Sequence, residues 1–272
     1  GKAKQGRQQE SREAKWERGL RLSEGAKEVR IWMVGTHMTD EDMEPWCAWF
    51  VERVKTTFGD ASSTGRDVNF AENRLTARGV TLLLETLRDC RVKVQILKLY
   101  KNKLEKADGV AEHILQCAGS LKELHLSHNE LGNQAIEDII VATATLQAEL
   151  QKKGGENGGT PFVPLWLRIE QNWVDCAALL DNTPVAIERS GITWSGTLMC
   201  PAKGGGCTPK CCSRRASWPV VHAKFLWNQR TAQTRAPTEE WNEEEWNEEE
   251  ENEEEWSGSW KGRGWGGGPP GG

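Results

Sequence analysis

The chain has 272 residues, with 35 Lys and Arg, 40 Asp and Glu, and a formal net charge of −5. Because 12 Glu lie between Glu239 and Glu255, residues 1–238 carry about +5 and the remaining tail about −10, a charge asymmetry typical of an interaction tail attached to a folded domain. No run approaches about 18 apolar residues, so no membrane-spanning helix is predicted and no membrane partner is expected.

Composition divides the chain into four segments. Residues 1–27 are polar and basic, and they are predicted to be disordered or to form a frayed helix. Residues 28–190 carry the periodic apolar pattern of a folded domain, and residues 191–235 are rich in Gly, Cys and basic residues. Residues 236–272, first Trp/Glu-rich and then Gly-rich, are predicted to be disordered because they bury too little apolar surface to offset chain entropy.

A repeat of 27–29 residues runs through the second segment. The two clearest copies read VQILKLYKNKL from Val94 and LKELHLSHNEL from Leu121. Shorter copies precede and follow them, and a degenerate first copy has Thr36 in place of Asn. The repeated asparagines are spaced by 29, 27 and 43 residues, and they are Asn73, Asn102, Asn129 and Asn172. A repeat at such a period outweighs any single-residue argument about the fold.

The pattern L-x-x-L-x-L-x-x-N-x-L resembles the leucine-rich repeat, and its period resembles the long, ribonuclease-inhibitor-like subclass. The resemblance implies a short α/β solenoid of four to five units over 28–190, with a parallel concave sheet and convex helices. The physical pattern agrees, because L-x-L alternates as a strand and the apolar residues after each Asn recur at helical spacing. Each Asn can bond the backbone of the neighbouring coil, so stacked copies would form a ladder. The alternative is an ordinary α/β domain with accidental alternation.

Strand side chains between the buried positions would line the concave face. Together with two flanking residues they make a mixed polar, mildly basic surface with two aromatic side chains, which suits a protein partner; a solvated face without a partner is the alternative. The predicted partner-binding residues are Arg30, Trp32, Asn69, Lys98, Tyr100, Lys101, His125, Ser127, His128, Arg168 and Glu170.

The cysteines form two groups. Cys47, Cys90, Cys117 and Cys176 are scattered singly through apolar segments, which favours reduced, buried thiols in an intracellular protein, cytoplasmic or nuclear. The others cluster in the third segment, where a structural zinc could substitute for a core. Adjacent Cys211 and Cys212 can hardly both bind one ion, so the candidate ligands are Cys200, Cys207, Cys211 and His222. Structural thiols or redox-labile cysteines in a loop are the alternatives, and no other cofactor is expected.

The acidic tail repeats the short unit WNEEE and keeps its Trp side chains in water. Such a segment can bind basic proteins, or the basic body of its own chain, and it would repel nucleic acid. The alternative is a low-complexity tail that only improves solubility.

No catalytic motif stands out. The P-loop, nucleophile-elbow, H-E-x-x-H and dinucleotide-binding patterns are missing from the sequence, so the chain is predicted to be a non-catalytic protein-binding scaffold. Two families that join leucine-rich repeats to an acidic tail offer alternatives. GTPase-activating proteins for Ran imply a regulator of a small GTPase, although they have about twice as many units. Acidic nuclear phosphoproteins imply a histone or basic-protein chaperone, although their repeats are shorter and lack the Cys/Gly segment.

Overall fold

The computed structural model describes residues 11–155, 165–192, 220–224, 227, 229 and 230, all within one compact unit, residues 1–231. The helices are α1 (Arg12–Gly19), α2 (Asp40–Phe58), α3 (Ala77–Asp89), α4 (Asp108–Gln116), α5 (Asn133–Gly155) and α6 (Cys176–Arg189). The strands are β1 (Leu20–Ser23), β2 (Glu28–Trp32), β3 (Ser63–Asn69), β4 (Val92–Val94), β5 (Ile96–Lys98), β6 (Glu123–His125), β7 (Leu165–Arg168) and β8 (Val221–Lys224).

The strands form one sheet in the order β1-β2-β3-β5-β6-β7-β8. The first pair is antiparallel and every other pair is parallel. Strand β3 is long enough to pair with β4 through its first half and with β5 through its second half. These findings confirm the predicted α/β class with a mostly parallel sheet.

One hydrophobic core lies between the sheet and the helices. Alternate strand residues such as Ile31, Leu97 and Leu124 are fully buried there, and they meet helix residues such as Leu87 and Ile136. Helices α2 to α6 pack against one another in chain order. Since each strand–helix unit places its apolar face against the same core, the other face of the sheet is left to the alternating, mostly polar side chains.

The amino-terminal segment differs from the prediction that residues 1–27 are disordered or frayed. From residue 12 onward it is packed into the fold: Trp16 is only 5% exposed, and its ring centroid lies 5.6 Å from that of Trp49. Strand β1 pairs with β2, with Leu20 opposite Ile31. Burial of Trp16 and Leu20 explains the difference, because these few apolar side chains cover the otherwise open end of the core. Residues 1–10 lie outside the described residues.

Gly19 is where the amino-terminal helix comes closest to the sheet. A Cβ atom there would lie 2.4 Å from the Trp32 carbonyl oxygen and 2.8 Å from Cε of Met33. We expect Gly19→Ala to lower the free energy of unfolding by about 1–3 kcal/mol, since the backbone must move to relieve the clash. Gly25→Ala is the matched control, because nothing lies within 4 Å of its added Cβ and no loss beyond about 0.5 kcal/mol is expected. Equal urea-denaturation midpoints for the two variants would contradict the close packing of α1.

The long spacing between Asn129 and Asn172 has a structural explanation in part. Helix α5 contains 23 residues, whereas α3 and α4 contain 13 and 9. The extra residues between these two asparagines therefore belong partly to a longer helix, and residues 156–164 lie outside the described residues. Among the described helices, none is both long and apolar enough to cross a membrane.

Candidate functional site

Four buried asparagines make the same set of hydrogen bonds in successive coils. The Asn129 amide nitrogen donates to the carbonyls of Leu126 in its own coil, at 3.0 Å, and of Leu99 in the preceding coil, also at 3.0 Å. Its Oδ1 accepts from the backbone N–H of Leu104 at 3.2 Å. Equivalent bonds surround Asn73, Asn102 and Asn172. Each side chain therefore joins two neighbouring coils and satisfies backbone groups that would otherwise be buried without partners.

A left-handed residue precedes each ladder position. Its φ lies between 52° and 62° in Gly35, Glu72, Lys101, His128 and Gln171. This conformation ends the extended backbone and turns the following side chain inward. In the degenerate first coil the inward residue is Thr36, whose hydroxyl donates to the Met33 carbonyl at 2.9 Å and to Asn73 Oδ1 at 3.1 Å.

We call the side of the sheet opposite the core the outer sheet face. It holds the predicted partner-binding residues, and the structure gives them different accessibilities. Arg30 and Trp32 are exposed. Those that are half-buried are Lys98, Tyr100, Lys101, His128 and Arg168. Those that are buried are Asn69, His125, Ser127 and Glu170.

Four of the predicted residues are buried, so only part of the set is accessible to a partner. Asn69 turns back on its own strand, where its Oδ1 accepts from the Ala71 N–H at 3.0 Å. His125 packs edge-on against Trp166, with ring centroids 5.2 Å apart. Glu170 is 3% exposed and accepts from Nε of Arg168 at 2.7 Å. The accessible part of the face is therefore its β2–β5 side together with Lys101, His128 and Arg168.

Ion pairs between neighbouring coils neutralise much of this face. Lys101 Nζ lies 2.9 Å from Glu72 Oε1, and Lys98 Nζ lies 3.6 Å from Asp67 Oδ2. The Arg168–Glu170 pair, within a single coil, adds a third, nearly dry contact. Asp67 and Glu72 come from positions that the repeat pattern did not single out, and they balance the charges of Lys98 and Lys101. The pairs fix long side chains in place, and each contributes little free energy where solvent reaches it.

Two cationic residues of the face were missed from the sequence. Arg21 lies on β1, directly opposite Arg30 on β2. Arg66 is the extra residue at a register shift of β3, where Val29 pairs with Gly65 and Arg30 with Asp67. Leu20 and Leu22 alternate in β1, but two apolar residues in a polar segment are too short a pattern to predict a strand. Strict alternation likewise gives no warning of a bulge.

Residues 229 and 230 bind to the last described asparagine coil. The Asn172 N–H donates to Oε1 of Gln229 at 3.0 Å, and the Arg230 N–H donates to the Asn172 carbonyl at 2.9 Å.

Burial, followed by the charges of Arg230, Lys101 and Arg168, lowers the pKa of His128 to about 4. His128 is therefore neutral at physiological pH, and this end of the face gains no charge from it.

The proposed zinc ligands are only partly described. Cys200, Cys207 and Cys211 lie outside the described residues, as does the acidic tail. His222 lies on β8, fully buried, and burial lowers its pKa. Within the described part of the chain, no three or more His, Cys, Asp or Glu side chains form a group suited to a metal ion. The zinc site stays a prediction from the spacing.

Comparison with known proteins identifies no relative. The chain matches no protein-family model, and neither the curated proteins nor the solved structures contain a significant match.

Proposed function

We propose that this chain is a short leucine-rich-repeat solenoid of the long, ribonuclease-inhibitor-like subclass. We further propose that it acts as a non-catalytic scaffold that binds a protein partner on the outer sheet face.

The asparagine ladder is the observation that carries the repeat assignment. Four coils, centred on Asn73, Asn102, Asn129 and Asn172, share a strand, a left-handed residue, an inward asparagine and a following helix. An accidental alternation of apolar residues supplies no reason for the same side-chain-to-backbone bonds to recur. Stacked units that each bury one face against the next are the physical basis of a solenoid.

Partner binding is supported by the way the accessible side chains are held. Lys98 and Lys101 are each tied to a carboxylate on a neighbouring coil, and Tyr100 stands between them on the same coil. Trp32 extends the surface toward β2. Side chains that are already ordered lose little conformational entropy on association, and Tyr and Trp are frequent energetic centres of protein interfaces.

Affinity purification of the full-length chain, followed by binding assays with the purified partner, tests the proposal. We expect Tyr100→Ala and Lys98→Ala each to weaken that complex about tenfold, which corresponds to about 1.4 kcal/mol. Val185→Ala, at an exposed site on α6, should leave the affinity unchanged. A partner whose affinity falls only with the α6 variant would place binding on the helices and refute the proposal.

The acidic tail supports a second candidate role. Its 12 Glu between Glu239 and Glu255 are interrupted by Trp241 and Trp246, a composition suited to basic protein surfaces. Retention of core histones by the full chain, lost when residues 236–272 are removed, would favour a basic-protein chaperone. Stimulation of GTP hydrolysis by a small GTPase would instead favour the regulatory alternative.

A further inference from the structure

A cluster of three arginines and a tryptophan lies at the amino-terminal end of the outer sheet face. We call it the basic patch, and it consists of Arg21, Arg30, Arg66 and Trp32. All four side chains are exposed. They come from three adjacent strands, β1 to β3, so they form one continuous surface rather than scattered single residues.

The cations of the basic patch outnumber the carboxylates beside them. Glu28 serves two guanidinium groups, because its oxygens lie 2.7 Å from Nε of Arg66 and 4.0 Å from Nη2 of Arg30. Asp67 is shared between Lys98 and the indole N–H of Trp32, which lies 3.4 Å away. The local ion pairs therefore leave positive charge in excess, in contrast to the matched pairs farther along the face.

Arg21 and Arg30 oppose one another directly across the antiparallel β1–β2 pair. Like charges at such positions destabilise a sheet, because the Cβ atoms of opposed residues lie only about 5 Å apart. Arg21 relieves part of the repulsion by donating to the carbonyls of Arg18 and Leu20, both at 3.0 Å. An external carboxylate between the two guanidinium groups would remove the repulsion and form charge-assisted hydrogen bonds.

An exposed apolar surface adjoins these charges. Trp32 is 41% exposed, and Val34, two residues farther along the chain, is 36% exposed. The contact with Asp67 holds the Trp32 ring in place. Tryptophan and arginine together are the residue types most enriched among energetic centres of interfaces.

We propose that the basic patch binds an acidic peptide segment that carries an aromatic or aliphatic side chain. The carboxylates would lie between Arg21 and Arg30 and beside Arg66, and the apolar side chain would pack on Trp32. This inference rests on the proposed partner-binding role of the face and names the chemistry of its ligand. Nucleic acid fits less well, since Glu28 and Asp67 would lie against phosphates and the patch offers a single indole for stacking.

Titration of the full-length, 15N-labelled chain with a synthetic peptide tests the proposal. The probe is an eight-residue peptide of six Glu flanking a central Leu-Phe pair. The indole N–H resonance of Trp32 is the one that disappears in the Trp32→Phe variant, and its position is followed during the titration. We expect that resonance to shift saturably, with an affinity that falls as salt rises. Arg30→Glu should weaken binding at least tenfold. Lys152→Glu makes the same charge change at an exposed site on α5 and should have little effect.

Three results would overturn the proposal. One is a Trp32 resonance that does not move at millimolar peptide, either in the full chain or after removal of residues 236–272, an acidic segment that would compete with the peptide. Another is equal weakening by Arg30→Glu and Lys152→Glu, which would indicate unspecific attraction. The third is tighter binding of a 15-residue oligothymidylate than of the peptide. Arg30→Lys keeps the positive charge but loses the planar guanidinium group that can bind a carboxylate through two hydrogen bonds. We expect its affinity to lie between those of the unaltered chain and Arg30→Glu, which would show that the loss in Arg30→Glu is not a folding defect. If Tyr100→Ala still weakens binding of the purified partner, the proposed function stands even when one of these three results rules out the basic patch as a peptide site.

Discussion

Asn129→Ala is expected to lower the free energy of unfolding by about 3–5 kcal/mol. The side chain is fully buried, and its removal strands the Leu104 N–H. The carbonyls of Leu99 and Leu126 each lose one of two donors and keep the bonds from Asn102 and Asn172. One stranded backbone group costs about 1–3 kcal/mol when water cannot replace the lost bond, and each of the two lost carbonyl bonds adds about 1 kcal/mol. The midpoint of thermal unfolding should fall by roughly 10 °C for a domain of this size.

Asn182→Ala provides the control for this prediction. Asn182 is exposed on α6, so its replacement should change stability by no more than about 0.5 kcal/mol. Urea denaturation followed by circular dichroism measures both variants under the same conditions. If Asn129→Ala unfolds at the same urea concentration as Asn182→Ala, the ladder does not hold the coils together.

Acidification from pH 7.5 to pH 4 is expected to destabilise the fold through His113. Burial, and then the charge of Arg88, lower the pKa of this histidine from 6.5 to about 4. Between those values the unfolded chain binds a proton that the folded chain does not, so stability present above pH 6.5 is lost as the pH falls toward 4. The shift corresponds to roughly 3 kcal/mol.

The surroundings of His113 explain why folding excludes the proton. The imidazole is 7% exposed and lines a groove between α3 and α4, beside Glu85 and Arg88 of the first helix and Glu112 of the second. Arg88 Nη1 donates to Gln116 Oε1 at 2.7 Å and lies 3.7 Å from Glu112 Oε1. These contacts hold the Arg88 charge near His113, where it opposes protonation of the imidazole. Of the two carboxylates that line the groove, Glu112 pairs with Arg88.

The comparison of His113→Leu with the unaltered chain isolates this effect. Urea denaturation at pH 7.5 and pH 4 should show that the variant loses about 3 kcal/mol less than the unaltered chain, since other acid-labile groups are common to both. His37→Asn, at an exposed histidine in a left-handed turn that Asn tolerates, should lose as much as the unaltered chain. Parallel losses in all three proteins would contradict a neutral, buried His113.

The repeat pattern predicted the parts of the fold that depend on local chemistry. L-x-L stretches around Leu97 and Leu124 gave the parallel strands, because alternation alone decides which side chains face the core. The prediction placed Asn102 and Asn129 at the turns, where their hydrogen bonds lie in the structure. The role of such an asparagine can be predicted from its position in the repeat alone, without knowledge of the residues that surround it in the fold.

Features that depend on contacts distant in sequence were not predictable. Strand β1 lies in a polar segment, and only its pairing with β2 makes Leu20 part of the core. The burial of Glu170 follows from Arg168 and from the coils beside it rather than from its own strand pattern. Arg66 reached the outer sheet face through a bulge, which alternation does not foresee.

Hydroxyl-radical footprinting of the full chain, with and without its captured partner, tests the central claim most directly. Tyr100 and Trp32 are reactive side chains on the outer sheet face, and Leu115 on α4 is an exposed side chain of the helix layer. We predict that the partner reduces oxidation of Tyr100 and Trp32 several-fold and leaves Leu115 unchanged. Protection of Leu115 with unaltered oxidation of Tyr100 and Trp32 would show that the helix layer, not the outer sheet face, binds the partner.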